Sequence, residues 1–307
     1  MKSFEESFEQ LAQEWVTPSR PVRDKEPRAA THRSGNPAQS VSASSPLTRT
    51  RPEANRGARG VESEPAEEEA KAAASKGEPN QEDRPGEADL SRVHPRLVCL
   101  LEPRSEHAES YYRLRYRLET RRKEGSALVV GVTSPAEGDG KTMTGINLAG
   151  ALAKDASSRV LLLDLDFRRG GEGVAEYLGM ASIEGEGVVD CIRGTEGGDE
   201  PATHFLEPFN LHVVTAGSEA ELPYELLKSS RLDRLMERAR RDYDFVIVDS
   251  PQILRLPDTE LISRLVDGFL VVVRADETRQ TSLEEALNLM TEDRVFGLVF
   301  NAVTEGL

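Results

Sequence analysis

The sequence predicts an α/β protein built on a mostly parallel sheet with helices on both faces. Three observations carry that expectation. Short, almost wholly apolar runs alternate with longer helix-like ones from about residue 100 onwards, as buried parallel strands and their crossover helices do. A glycine-containing loop ending in Gly140-Lys141-Thr142 joins the first of these strands to a helix. Two further apolar runs end in aspartates, at the edge of the sheet where ligands bind.

The elements follow in order. Phe4, Phe8, Leu11 and Trp15 recur at i, i+4, i+7 and i+11, with Glu5, Glu6, Glu9 and Glu14 off that line, so residues 1–16 read as an amphipathic helix. A helix this short is marginal alone in water. It is expected to bury its apolar face in a partner's groove as a tethered docking helix, or against its own domain. Residues 17–92 are rich in Pro, Ser, Ala, Glu, Arg and Gly and poor in large apolar side chains. They bury too little to offset their conformational entropy and are expected to be a disordered linker. Residues 93–307 are long enough for one packed domain. Within it, helices are expected at Glu106–Arg122, Lys141–Lys154, Pro223–Arg240, Asp258–Arg264 and Thr281–Met290. Strands are expected at Ala127–Thr133, Arg159–Leu165, Leu211–Thr215, Phe245–Val248, Gly268–Val273 and Val295–Phe300.

Composition narrows the function. The formal net charge is −15; residues 1–90 carry −4 of it, which leaves −11 on the domain. An acidic domain does not suit a nucleic-acid partner, which needs a phosphate-neutralising surface, or electrostatic docking on anionic lipid. Arg113, Arg115, Arg117, Arg121, Arg122 and Lys123 form a local basic run, read as a solvated helix face. Cys99 and Cys191 lack metal spacing and suit a reduced compartment as ordinary thiols, and the five histidines form no ligand cluster. No apolar run approaches a membrane span and the start of the chain has no signal-peptide core, so a cytoplasmic protein is expected.

The loop Thr133-Ser-Pro-Ala-Glu-Gly-Asp-Gly-Lys-Thr142 has the order strand, glycine loop, helix of a phosphate-binding loop. Gly138 and Gly140 let backbone N–H groups converge on a phosphate, Lys141 adds a point charge, and the Thr142 hydroxyl can ligate Mg²⁺. Pro135 stands where the general pattern has Gly or Ala. Asp164 and Asp166 end one buried strand, with Arg168 and Arg169 beyond, and Asp249 ends another. Such carboxylates beside a triphosphate loop supply the hard oxygen ligands that Mg²⁺ needs, so binding of a nucleoside triphosphate is expected.

These three motifs, in this order, resemble the bacterial protein-tyrosine kinases of capsule and exopolysaccharide synthesis. The resemblance covers about residues 100–302. It includes Arg104–Arg115, Ala216-Gly217 followed by Pro223-Tyr-Glu-Leu-Leu-Lys, Leu265–Arg274, and Gly297-Leu-Val-Phe-Asn301. It implies a P-loop NTPase fold, related to the partition and septum-placement ATPases, in which Pro135 is acceptable. It also implies ATP and Mg²⁺. Ala136, Glu137, Gly138, Asp139, Gly140, Lys141, Thr142 and Met143 would hold the nucleotide, with Asn301 near adenine. Thr142, Asp164, Asp166 and Asp249 would serve the metal. Asp164 and Asp166 would also orient or deprotonate the attacking tyrosine hydroxyl, and Arg168 would stabilise charge on the transferred group, beside Lys141.

The resemblance further implies a protein tyrosine substrate and a membrane protein of chain-length control or polysaccharide export as activator, which would recruit the chain to the inner face of the plasma membrane. Self-association stays open, because the leading helix reads Glu109-x-x-Tyr112-x-x-Arg115 where many members carry a second arginine for ring assembly. Many members also end in a tyrosine cluster. Here Ala302–Leu307 holds no tyrosine, so tail autophosphorylation is not expected. Tyr112 and Tyr116, at i and i+4 among arginines, are the candidate substitutes, against the plainer reading of two amphipathic surface tyrosines. Two alternatives remain at this level. One is a non-catalytic, nucleotide-sensing regulator of the export machinery. The other is a positioning or partition ATPase, although those carry a lysine where Ala136 stands.

Overall fold

A computed structural model describes residues 91–168, 173–180, 187–194, 201–254 and 258–303. The expected docking helix, and the expected linker apart from its last two residues, lie outside these. The domain begins with a short helix α1 (Val98–Leu101) and a long helix α2 (Glu106–Arg121). Ser105 caps α2, its hydroxyl accepting from the Ala108 N–H, and Glu106 and Glu109 sit in the first turn where the helix dipole favours them. Then follow β1 (Leu128–Thr133), α3 (Lys141–Leu152), β2 (Val160–Asp164), α4 (Val174–Tyr177) and α5 (Val188–Arg193). The second half runs β3 (His204–Leu206), β4 (Leu211–Val214), α6 (Pro223–Leu227), α7 (Ser230–Asp242), β5 (Phe245–Asp249), α8 (Asp258–Ser263), β6 (Gly268–Arg274), α9 (Gln280–Asn288) and β7 (Val295–Asn301).

Seven strands form one sheet in the order β3-β4-β2-β5-β1-β6-β7. Every pairing is parallel except that of the edge strand β3 with β4. Side chains alternate between faces along each strand. Val130, Leu162, Ile247 and Leu270 pack with Leu114, Leu118, Ile146 and Leu152 of α2 and α3. Val129, Leu161, Val246 and Val248 pack with Leu232, Met236 and Ile262 of α7 and α8. A further cluster sets Leu283 and Ala286 of α9 on Val271 and Val273. Strands covered on both faces explain the nearly continuous apolar runs.

One departure from the sequence expectation has a local physical cause. The single helix expected at Pro223–Arg240 is two, because the Ser229 hydroxyl accepts from the Arg231 N–H and starts a new helix there. The antiparallel strand β3 was not expected; it has three residues, with Phe205 exposed between His204 and Leu206. Among the described residues, no helix is long and apolar enough to cross a membrane, and Cys99 and Cys191 are both buried and outside any disulfide.

Candidate functional site

The site lies at the C-terminal ends of β1, β2 and β5, which the sheet order makes adjacent. The register sets Asp164 of β2 beside Asp249 of β5, and Asp249 beside Val132 of β1. The loop after β1 enters α3 through Gly140, whose φ of 96° lies in the left-handed region. A Cβ at Gly140 would also overlap the amide of Asn301, so only glycine fits.

Lys141, at the start of α3, is turned into the acidic cluster. Its Nζ stands 2.6 Å from Asp166 Oδ2, 3.7 Å from Asp249 Oδ1 and 3.3 Å from Thr142 Oγ1. The Thr142 hydroxyl donates to Asp249 Oδ2 at 2.7 Å. Asp164 lies behind them and accepts the backbone N–H of Asp166 at 3.0 Å and of Val174 at 3.2 Å. Lys141, Thr142, Asp164, Asp166 and Asp249 are all buried. The sequence therefore marked five residues, far apart in the chain, that the fold brings together.

The electrostatics are one-sided. Three buried carboxylates meet one lysine ammonium. Burial first, and then the charge of Asp249, push Asp164 up to about 7; Asp166 adds to the rise, while its N–H and Lys141 oppose it. Hard oxygen donors with surplus negative charge fit a magnesium ion. Among the described residues, no group of three His, Cys, Asp or Glu side chains forms a metal nest by itself. Magnesium takes one or two protein oxygens and fills its other positions with phosphate oxygens and water. Thr142 and Asp249 could provide the direct oxygens.

The remaining candidates lie around this centre. Ala136, Glu137 and Gly138 form the exposed crest of the loop, and Met143 is half-buried against the core. Arg168 reaches Asp258 at the start of α8 through two contacts, Nε to Oδ2 at 2.8 Å and Nη2 to Oδ1 at 3.2 Å. Asn301, at the end of β7, donates to the Asp139 carbonyl at 3.0 Å and so braces the loop.

Sequence reading missed a clamp on that loop. The buried Asp139 carboxylate accepts the Ala136 N–H at 2.9 Å and the Thr278 hydroxyl at 2.7 Å. Burial pushes Asp139 above the usual carboxylate range, and these bonds oppose the rise. Arg274 donates to the Gly138 carbonyl at 3.2 Å. Asp258, buried at 1% exposure, was also missed as the partner of Arg168. Apart from the local turn between Asp139 and Ala136, neither has a sequence signal, because Thr278, Arg274 and Asp258 stand 90 residues or more from their partners.

Comparison with known proteins identifies the chain's relatives. A family model described as "AAA domain" matches residues 129–292, more than half of the chain. The tyrosine-protein kinase YwqD of Bacillus subtilis is 27% identical over 213 residues, which cover 69% of this chain and 87% of YwqD. The putative tyrosine-protein kinase EpsB of Ralstonia nicotianae is 29% identical over 209 residues, 67% of this chain but only 27% of EpsB's length. The kinase domain of the Escherichia coli tyrosine kinase ETK superposes with a TM-score of 0.62 at 24% identity, covering 71% of this chain and 85% of that domain, which establishes the shared fold. On its phosphate loop, its strand-end aspartates and these matches, the chain belongs to the AAA-domain family, in the company of the bacterial tyrosine-protein kinases that its motifs resemble.

Proposed function

We propose that the chain is a protein-tyrosine kinase of exopolysaccharide or capsule synthesis and export, transferring the γ-phosphoryl group of ATP to a tyrosine hydroxyl. The observation that carries this reading is the convergence of Lys141, Thr142, Asp166 and Asp249 within hydrogen-bonding or ion-pair distance at the mouth of the phosphate loop. The names of the relatives supply the acceptor class. Phosphoryl transfer relies on positioning and charge stabilisation, and this site is made of both.

Loop N–H groups between Ala136 and Thr142 would cradle the phosphates. Lys141 would exchange Asp166 for a β/γ-phosphate oxygen. Thr142 and Asp249 would hold magnesium, with Asp164 and Asp166 completing the acidic surround; the ion, when bound, would offset the charge of the phosphates. Asp166, once released by Lys141, would orient or accept the proton of the attacking phenol. Arg168 would turn from Asp258 to the transferred group, and Asn301 would sit near adenine while bracing the loop. A membrane protein of chain-length control would act as activator and recruit the chain to the inner face of the membrane, with residues 1–16 as a tether.

The test is turnover of the full chain with ATP, Mg²⁺ and a Glu/Tyr copolymer, scored for phosphotyrosine and for free phosphate separately. Phosphotyrosine that disappears in Lys141→Met is the expected result. Free phosphate without phosphotyrosine would replace the kinase reading with an ATPase one, and neither product would leave a non-catalytic regulator.

A further inference from the structure

We infer that Tyr116 on α2 is a phosphorylation site of this protein, modified by the active site of a second copy of the chain. The inference rests on the tyrosine-kinase reading above and names one of its substrates.

The chain has six tyrosines, and all six lie among the described residues. Four are poorly placed for modification. Tyr111 is buried at 5% exposure in the core under α2. Tyr112 is half-buried and its hydroxyl donates to the Pro103 carbonyl at 2.8 Å. Tyr177 and Tyr243 are half-buried, with rings against His94 and His212 at 5.2 Å between centroids in each case. Tyr224 is 40% exposed, with the Lys228 ammonium 4.9 Å above its ring. Tyr116 is 67% exposed, the most accessible of the six. The structure thus separates the pair that the sequence offered together, keeping Tyr116 and setting Tyr112 aside.

The surroundings of Tyr116 suit a phosphate. It lines an open surface depression with Arg113, Arg117, Tyr112 and Glu109. Arg113 precedes it by three residues and so lies on the same helix face. A phosphotyrosine carries about −1.5 to −2 charges and is stabilised by guanidinium forks. Arg113, at the rim of the depression, offers one, and Glu109 is the one acid lining it.

The geometry also decides between self and partner. The neighbouring Arg115 donates to the Ala151 carbonyl at 3.0 Å, near the C-terminal end of α3. Lys141 is at the other end of that helix, about 15 Å away at a rise of about 1.5 Å per residue. A tyrosine side chain does not span that distance. Nor does α2 swing, since Ala108, Tyr111, Leu114 and Leu118 anchor its opposite face. The reaction therefore joins two chains. The Tyr116 phenolic oxygen of one forms a bond to the γ-phosphorus of ATP held by the other. The bond from that phosphorus to the β–γ bridging oxygen breaks, ADP leaves with the electron pair, and the phenolic proton passes to a site carboxylate or water.

The experiment mixes wild-type chain, ATP and Mg²⁺ with a tagged, full-length Lys141→Met chain as acceptor, and runs the Glu/Tyr copolymer in parallel. Phosphosite mapping is expected to find phosphate at Tyr116 of the tagged chain. The same label is expected on wild-type chain incubated alone, which serves if the Lys141→Met chain does not fold. Tyr116→Phe should lose that label while its copolymer activity stays at the wild-type rate. Copolymer labelling with Tyr116 unmodified, or with Tyr224 labelled in its place, overturns the inference and leaves the kinase reading standing. No labelling of either substrate removes both.

Discussion

Replacing Asp164 by asparagine should stabilise the nucleotide-free protein while abolishing its activity. Asp164 is 4% exposed and its pKa is about 7 instead of an ordinary 3.8. Between those values the folded chain holds a proton that the unfolded chain has released. Stability therefore falls as pH rises through this window, and the loss is complete above about pH 7. A shift of about three units corresponds to about 4 kcal/mol as an upper figure. Asparagine removes that penalty and keeps one acceptor for the Asp166 N–H. Its amide, however, faces the Val174 N–H that Asp164 Oδ2 accepts, at a cost of about 1–3 kcal/mol. The net gain expected near pH 8 is about 1–3 kcal/mol. The cleaner readout is the difference between two pH values, from which the local hydrogen-bond cost cancels. The variant's advantage should be about 2–3 kcal/mol larger near pH 8 than near pH 5. Urea denaturation with a chelator and no nucleotide measures it. The same difference between variant and wild type at both pH values would refute the reasoning.

Three further outcomes are expected. Gly140→Ala combines a φ of 96° with an overlap on the Asn301 amide; it should lower stability by about 1–2 kcal/mol and, by displacing loop N–H groups, weaken ATP binding in calorimetry. Thr278→Val removes the 2.7 Å bond to Asp139 and leaves that buried carboxylate short of a donor; denaturation should report a loss of about 1–3 kcal/mol, and steady-state kinetics a raised KM for ATP. Leu118→Ala opens a hole at a fully buried position between α2 and the sheet; it should cost about 2–5 kcal/mol in denaturation while the folded protein keeps its ATP affinity.

The parallel sheet was legible because burial on both faces writes itself into the chain as continuous apolar runs such as Val160–Leu163. The ends of those strands were placed within a residue or so, the usual margin at element boundaries. The central residues of the site were legible for a related reason: Lys141, Thr142, Asp164, Asp166 and Asp249 each abut a strand or helix end that hydrophobic pattern locates. Ser229 was harder. On a helix surface and at a helix start it looks the same in sequence, and only the hydrogen bond it accepts tells them apart. The clamp of Asp139, Arg274, Thr278 and Asn301 was illegible on different grounds. It depends on β6 lying beside β1 and β7 beside β6, which is a fact of topology and not of any local run of residues.

The brace between Asn301 and the Asp139 carbonyl joins positions 162 apart along the chain. During synthesis the amino-terminal partner leaves the ribosome long before the other. The loop consequently gains this brace only when β7 has joined the sheet. A chain cut before β7 would keep the holds of Thr278 and Arg274 on the loop but lose this one.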